Sequence, residues 1–278
     1  MENKALGILH RLTRAKYAAS LQDLTSLPFG QLANDEIAEV VRAMFAEAAS
    51  KRHPVYLEFY AQLMADWVRS ADPPRVGGAI QTAITEELQR QFKQYFRLSN
   101  LLFDIDGDAL PEDKVIIQEV DADLWPYVHI LGNLFLFGMV RETFVNLVLL
   151  YLLYGRQKQM HRRPAHYALR IFCDLLRKVV KALSPETYSK YVPGYMKTLK
   201  SLTAKAKPLS CALLTDMEKL YKNNWEDECG GDAAPLDQVP TAPPERPSRT
   251  KPKSIRRHGE NAAVSHRLHQ QAATESNG

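Results

Sequence analysis

Apolar residues recur at the spacing of an amphipathic α-helix along most of the first 225 residues. In the clearest segment they fall at i, i+3, i+4, i+7, i+8 and i+11, on one face of a helix: Ile37, Val40, Val41, Met44, Phe45 and Ala48. A second segment repeats this pattern with Leu169, Phe172, Leu176, Val179, Val180 and Leu183. A third follows it more loosely with Leu209, Leu213, Met217 and Leu220.

Helix-breaking residues separate these segments: Pro28, Pro54, Pro74, Gly107, Pro164, Pro185 and Pro208. Proline is tolerated in the first turn of a helix, because its missing N–H would be unpaired there. Asn34 or Asp35 is expected to cap the helix that follows, since either side chain can accept from free amides of the first turn. The pattern predicts about ten helices of roughly 10 to 20 residues and no convincing strand.

The predicted fold class is all-α. Ten helices with short connections can form a single globule or a stack of helix pairs. Their even spacing favours an α-solenoid, because each pair can bury its apolar stripe only against its neighbours.

The most apolar segment, residues 130–154, is interrupted by polar residues: Asn133, Arg141, Glu142 and Asn146. A membrane span normally needs about 20 nearly uncharged residues. Two buried helices joined near Gly138 therefore explain the segment better. The N-terminus has no apolar stretch like that of a signal peptide, and three widely spaced cysteines favour a reducing compartment. We expect a cytoplasmic protein with no membrane association.

Composition divides the 278 residues into two parts. Residues 226–278 contain no Phe, Tyr or Trp and no apolar run longer than three. Such a segment cannot bury enough apolar surface to offset the entropy of ordering. We predict a helical domain over residues 1–225 and a disordered charged tail over residues 226–278.

The net charge of +4 conceals a strongly uneven distribution. Residues 156–207 carry thirteen Lys and Arg against two acids, whereas residues 104–123 carry eight acids and one Lys. In the tail, six acids in residues 226–245 precede six bases in residues 246–257. The basic block predicts binding of RNA or another polyanion, although basic residues on amphipathic helices can also be simply their solvated faces.

No set of residues with catalytic or metal-binding spacing is found. The chain has no phosphate-binding GxxxxGK[ST] loop and no nucleophile elbow. His161 and His166 are five residues apart, which is the wrong spacing for two metal ligands on one helical face. His129 lies among apolar residues and is expected to be a hydrogen-bonded core histidine. We therefore predict a binding protein that is not an enzyme and needs no cofactor or metal.

Several short segments, taken in order, resemble the middle domain of eukaryotic translation initiation factor 4 gamma. They are residues 8–13 with Tyr17, residues 41–48, residues 60–63, residues 131–135 and a final helix ending at Trp225. The resemblance covers residues 1–225 and depends on the ordered set more than on any single motif.

The resemblance implies five stacked helix pairs of HEAT type and a function without catalysis. Domains of this family bind a DEAD-box RNA helicase, initiation factor 4A, and often mRNA. Carried onto matching positions, the resemblance nominates Leu12, Thr13 and Tyr17 for contact with the helicase. The RNA candidates come from the basic block: Arg162, Arg163, Lys178, Lys181, Lys197, Lys200, Lys205 and Lys207. Lys178 and Lys181 are three residues apart, as are Lys197 and Lys200, so each pair can share a helical face.

The chain also departs from the family. Asp121-Ala-Asp-Leu-Trp125-Pro-Tyr127 stands where the family carries a basic run before its Gly-Asn segment, which argues against the family's RNA contact there. In larger members of the family, a Tyr-x4-Leu-apolar motif holds the cap-binding protein. None of the twelve tyrosines of this chain begins such a motif. The alternative is a solenoid interaction module of splicing, mRNA decay or histone-mRNA translation, and the basic cluster at residues 251–257 is compatible with a nuclear location.

Overall fold

The structure, a computed structural model, describes residues 2–51, 53–97, 111–155, 166–203 and 208–226. The chain divides into two units, Met1–Glu228 and Cys229–Gly278. All of the described residues lie in the first unit. The predicted tail lies outside them, except for Glu226.

The described residues contain ten α-helices and no strand, which confirms the predicted all-α class. The helices are α1 Glu2–Leu9, α2 Tyr17–Thr25, α3 Asn34–Lys51, α4 Pro54–Ser70, α5 Pro74–Arg97, α6 Pro111–Leu136, α7 Glu142–Tyr154, α8 His166–Val179, α9 Pro185–Thr203 and α10 Pro208–Lys222. Short 3₁₀ turns lie at Arg14–Lys16, Phe29–Gln31 and Val180–Ala182.

Proline is the first residue of five helices: α4, α5, α6, α9 and α10. Four of these starts, at Pro54, Pro74, Pro185 and Pro208, follow from the breakers in the sequence, while Pro164 lies outside the described residues. Ser184 caps α9, because its Oγ accepts a hydrogen bond from the Thr187 amide at 3.3 Å.

The predicted cap of α3 is wrong by one position. The helix begins at Asn34, so Ala33 precedes its first turn. The capping contact there runs in the other direction, from the Ala33 amide to the Glu36 carboxylate at 3.0 Å. A glutamate at the third helical position can satisfy the amide before the helix in this way.

The helices pack as five consecutive pairs, and each pair stacks on the next. Each even-numbered helix contacts the next even-numbered one, from α2 through α4, α6 and α8 to α10. On the opposite side, α1 contacts α3 and α3 contacts α5. This two-layered stack is the predicted α-solenoid.

The core lies between the two layers and uses the apolar faces that the periodicity predicts. All six predicted positions of α3 are at most 2% exposed. On α8 the predicted positions are also buried, except that Leu183 lies beyond the helix and is only partly buried. Because α8 has further buried residues on its other sides, such as Ile171 and Leu175, it packs against neighbours from several directions.

The predicted junction near Gly138 is confirmed. Gly138 has φ +77°, a conformation that glycine adopts without the penalty of a Cβ. The Gly138 amide donates to the Phe135 carbonyl at 2.9 Å, and the Met139 amide donates to the Leu134 carbonyl at 2.8 Å. These two hydrogen bonds form a Schellman motif, which ends α6 and turns the chain into α7.

Candidate binding surfaces

The predicted partner-binding residues lie where α1 passes into α2, and they differ in exposure. Leu12 is only 7% exposed and belongs to the core. Thr13 is exposed. Tyr17, the first residue of α2, is half-buried. A partner can therefore reach Thr13 directly and Tyr17 in part, whereas Leu12 supports the turn from below.

The hydroxyl of Tyr17 begins a chain of polar contacts that crosses three even-numbered helices. It donates to Asp66 Oδ2 at 2.6 Å. Asp66 Oδ1 accepts from Arg69 at 3.0 Å, and Arg69 also donates to the carbonyl of Phe137 at 2.6 Å. Burial and the Asp66 carboxylate raise the pKa of Tyr17 far above its usual value, so the hydroxyl remains a donor. These contacts fix α2 to α4, and α4 to the end of α6.

A second contact fixes α4 to α1. The buried hydroxyl of Tyr60 donates to the carbonyl of Leu9 at 3.2 Å. Leu9 is the last residue of α1, where carbonyls have no partner within the helix. Ala61, the next residue of α4, is fully buried. Tyr60, which belongs to residues 60–63 of the family resemblance, therefore joins the first helix pair to the second.

The Gly-Asn segment of the resemblance lies in the contact between α6 and α8. A Cβ on Gly132 would lie 2.9 Å from Cδ of Lys178 and 3.2 Å from Cδ1 of Leu175. The missing side chain therefore makes room for the stem of Lys178. Its ammonium group donates to Oδ1 of Asn133 at 2.5 Å. Burial lowers the pKa of Lys178.

Trp125 and His129 lie on the same helix, about two turns and one turn before Asn133, respectively. Their rings are 4.1 Å apart between centroids. Trp125 also interacts with the Asp174 carboxylate of α8: burial raises the pKa of Asp174, and the Trp125 side chain is among the groups that lower it. Burial, helped by the charges of Lys178 and Arg170, lowers the pKa of His129 to about 4, so its ring is neutral at physiological pH.

The expectation that His129 is a hydrogen-bonded histidine is wrong for the described residues. Both of its ring nitrogens are buried, and neither has a hydrogen-bond partner among them. The surrounding charges explain this, because Lys178 and Arg170 are both cationic and offer no acceptor to an imidazole N–H.

Trp225, the last residue of the family resemblance, connects the two helices of the last pair. Trp225 is 7% exposed, and its indole N–H donates to the Tyr188 hydroxyl of α9 at 3.1 Å. Its backbone amide donates to the Leu220 carbonyl at 2.6 Å. Asn224 before it has φ 52°, the left-handed conformation that commonly ends a helix.

Comparison with known proteins relates this arrangement to one family. A scan against protein-family models and a search of curated proteins both give no match. Among solved structures, the chain is similar to the MIF4G domain of Trypanosoma cruzi translation initiation factor EIF4G5. The two share 27% sequence identity over 81% of this chain and 96% of that one, with a TM-score of 0.59. The fold of the described residues is thus similar to that of an MIF4G domain, and we refer to them as the MIF4G-type domain.

The similarity confirms both the family resemblance and the α-solenoid. It relates the chain to the adaptor domains of translation initiation factors, which bind partner proteins. In this MIF4G-type domain, three residues that carry the resemblance join neighbouring helix pairs: Tyr60, Gly132 and Asn133. Trp225 joins the two helices of the last pair.

The predicted RNA-binding residues of the MIF4G-type domain are not equally placed. Lys181, Lys197 and Lys200 are exposed, the first on the turn after α8 and the others on α9. Lys178 is partly buried and bonded to Asn133, so it does not share an open face with Lys181. The remaining candidates lie outside the described residues: Arg162, Arg163, Lys205 and Lys207.

The described residues of the MIF4G-type domain contain neither a cluster of metal ligands nor a helix that could span a membrane. Within these ranges, no three His, Cys, Asp or Glu side chains come together in a way that could hold a metal ion. Over the same residues, the helices are all too short or too polar to cross a membrane.

Proposed function

We propose that this chain is a translation-initiation adaptor that binds a DEAD-box RNA helicase of the initiation factor 4A type, and mRNA, without catalysis of its own. The observation that carries the proposal is the similarity to the MIF4G domain of a translation initiation factor, which extends over 81% of the chain. The family resemblance in the sequence supplies the two partners.

The polar contacts between helices support an adaptor role. A scaffold raises the activity of a two-lobed helicase if it binds the active arrangement of the lobes better than the open one. That requires a fixed distance between the contacts that it offers. The contacts of Tyr17, Asp66 and Arg69 tie α2, α4 and α6 together, and Lys178 ties α6 to α8.

The helicase contact is assigned to the turn between α1 and α2. Thr13 is exposed there, and Tyr17 presents part of its ring while its hydroxyl is held by Asp66. Leu12 acts from the core by supporting the backbone of the turn. The contact is thus offered by the first helix pair, at one end of the stack.

The mRNA contact is assigned to the basic block of residues 156–207. Its thirteen bases and two acids create a field that attracts phosphates. Lys181, Lys197 and Lys200 are available from the surface. Arg162, Arg163, Lys205 and Lys207 belong to the same block in sequence, and Lys178 contributes its charge from its position against Asn133.

The helicase half of the proposal is tested with the full chain and a purified helicase of the initiation factor 4A type. Thr13→Arg places a long charged side chain on the proposed contact, while Thr82→Arg does the same on α5, where Thr82 is equally exposed. We expect the wild-type chain and Thr82→Arg to bind the helicase and change its RNA-dependent ATPase rate. Thr13→Arg should bind at least about tenfold more weakly.

A wild-type chain that neither binds nor alters any such helicase would refute this half of the proposal. The alternative interaction module of splicing, mRNA decay or histone-mRNA translation would then take its place. Equal binding by both threonine variants would instead move the helicase contact away from the α1–α2 turn. A rise in ATPase rate indicates activation of the helicase, and a fall indicates sequestration.

A further inference from the structure

One face of α6 presents aromatic and apolar side chains without any charge. Trp125, His129 and Leu136 fall at i, i+4 and i+11, on one side of the helix. Trp125 and His129 are partly buried, and Leu136 is 46% exposed. No Asp, Glu, Lys or Arg occurs in residues 124–140. From Leu124 onward this part of α6 is therefore uncharged, and Trp125 is partly exposed on it. Asp121 and Asp123 precede it in the sequence, so cations for a nucleic acid must come from the neighbouring helix.

The neighbouring face of α8 is cationic. Arg170 and Arg177 are two turns apart on one side of the helix, and Lys181 follows on the 3₁₀ turn at its end. Arg177 and Lys181 are exposed, and Arg170 is partly buried. Asp174 is the one acid within residues 166–183, and it interacts with the Trp125 side chain of α6.

Direct contacts hold the two faces side by side. The Trp125 side chain interacts with Asp174 of α8, and the His129 ring lies against it at a centroid distance of 4.1 Å. Lys178 bonds to Asn133, and its stem lies over Gly132. These contacts place the Trp125 ring beside the helix that carries the cations. We name this surface, formed by Trp125, His129, Leu136, Arg170, Arg177 and Lys181, the α6–α8 surface.

We propose that the α6–α8 surface binds single-stranded RNA, with a base stacked on Trp125 and phosphates held by Arg177 and Lys181. Proteins that bind single strands combine a cationic track for the backbone with aromatic side chains for the bases. The α6–α8 surface has both parts on adjacent helices. It rests on the proposed function and adds to it a defined site and five residues outside the predicted set: Trp125, His129, Leu136, Arg170 and Arg177.

The aromatic half of the surface favours RNA over an acidic protein segment. A carboxylate-rich peptide would need only the cations of α8, and it would leave the indole without a partner. A nucleotide uses both halves, because every base has a flat face that can stack on an aromatic ring. A double-stranded RNA would present its phosphates but not its base faces.

Trp125 provides a spectroscopic reporter of stacking. The chain has three tryptophans, and the other two, Trp67 and Trp225, are 1% and 7% exposed. The test uses the full chain and a 12-nucleotide oligouridine. Fluorescence anisotropy of labelled RNA measures affinity, and the intrinsic tryptophan emission, measured with unlabelled RNA, reports stacking. We expect RNA to quench this emission in the wild type and not in Trp125→Phe.

A second pair of variants tests the phosphate contacts without altering the tryptophan. Arg177→Gln with Lys181→Gln removes two exposed cations from the surface. Arg42→Gln with Lys93→Gln removes two exposed cations from α3 and α5, outside the basic block, and is the matched control. The first pair should weaken binding about tenfold and reduce the salt slope by about 1.4, because each contact with a single strand contributes about 0.7. The control should change both much less. Circular dichroism checks that each variant is folded.

The outcomes separate the surface from the proposed function. RNA binding with no tryptophan quenching, or with equal losses in the two cation pairs, would overturn the α6–α8 site and leave mRNA binding to other lysines. No RNA binding by the wild type would overturn both, without affecting the helicase contact. Polyglutamate of equal charge that binds as tightly, and that depends on Arg177 and Lys181, would assign the surface to an acidic protein segment and overturn the RNA proposal.

Discussion

Two contacts between stacked helices in this domain are built from opposite kinds of residue. The face that α3 presents to the core consists of six apolar side chains, each at most 2% exposed. The contact between α6 and α8 includes polar and charged groups beside a glycine: Trp125, His129, Gly132, Asn133, Asp174 and Lys178. Both contacts hold one helix pair to its neighbours.

The apolar contact and the polar contact contribute differently to the stability of the fold and to the placement of side chains. Burying a large apolar side chain contributes about 1.5 to 3 kcal/mol. A hydrogen bond between partly buried polar groups contributes only about 1 kcal/mol net, and unpaired buried groups such as those of His129 cost free energy. The α3 contact therefore carries stability. The polar groups of the α6–α8 contact add little stability, but they hold the Trp125 ring and the Lys178 side chain in a defined arrangement.

The largest effect is expected from breaking the apolar contact. Phe45→Ala removes a ring that is 1% exposed in the middle of α3. The variant should lose about 3 to 5 kcal/mol of unfolding free energy. The loss combines the free energy gained by burying the ring away from water with the cost of the cavity that remains. Urea unfolding monitored by circular dichroism measures this loss.

Leu147→Ala is the control for Phe45→Ala. Leu147 lies on α7 and is 39% exposed, so its truncation removes apolar atoms without leaving a closed cavity. We expect a loss of less than about 1 kcal/mol. Similar losses for both variants would mean that burial on α3 does not set the stability of the domain.

The apolar contact is also the part of the fold that periodicity predicts best. Helical spacing identifies the buried face of α3 residue by residue, because each position faces the core once per turn. Helix starts follow from proline at Pro54, Pro74, Pro185 and Pro208, and the α6–α7 junction follows from Gly138. The cap of α3 was misplaced, because Asn34 and Asp35 compete with a Glu36 that can cap from inside the helix.

The α6–α8 contact is harder to predict, because its partners are far apart in sequence. The spacing of Lys178 and Lys181 suggests two similar lysines on one face. The structure separates them, because Asn133, 45 residues away, holds Lys178. Nothing near Trp125 in the sequence indicates that Asp174 is its partner. One indication of this contact in the sequence is the pair of polar residues His129 and Asn133, which lie one turn apart in an otherwise apolar segment.

The next largest effect is expected from breaking the polar contact at its glycine. Gly132→Ala places a Cβ 2.9 Å from Lys178 Cδ and 3.2 Å from Leu175 Cδ1. The clash should cost about 1 to 3 kcal/mol. It opposes the gain of about 1 kcal/mol that alanine normally brings to a helix interior. We therefore expect a net loss of unfolding free energy, measured by urea unfolding.

A matched substitution and a double variant isolate this clash. Gly78→Ala lies on α5, where an added Cβ has no atom within 4 Å, and should gain up to about 1 kcal/mol. In a Lys178→Ala background, Gly132→Ala should lose most of its cost, because the stem that it meets is gone. A cost that stays the same in that background would show that Lys178 does not occupy the space above Gly132.

The smallest expected effect is a pH-dependent change in unfolding free energy that arises from His129. In the folded chain the pKa of His129 is about 4, below the usual value of about 6.5 for an unfolded histidine. As pH falls from 6.5 to 4, the unfolded chain therefore gains a proton that the folded chain does not, and stability is lost. His129→Phe keeps a ring against Trp125 but cannot titrate. Its stability relative to the wild type should rise by about 1 to 2 kcal/mol over this window, since partial exposure weakens the effect.

Urea unfolding at several pH values between 7 and 4 measures this difference. A constant offset between His129→Phe and the wild type reports only the change in packing, whereas the part that grows as pH falls reports the buried imidazole. Lys178 and Arg170 oppose a charge on His129. Lys178→Met should therefore reduce the pH-dependent part without abolishing it, because burial is the larger cause. An offset independent of pH would mean that His129 titrates normally in the folded chain, and the α6–α8 contact would then be more open to water than its packing indicates.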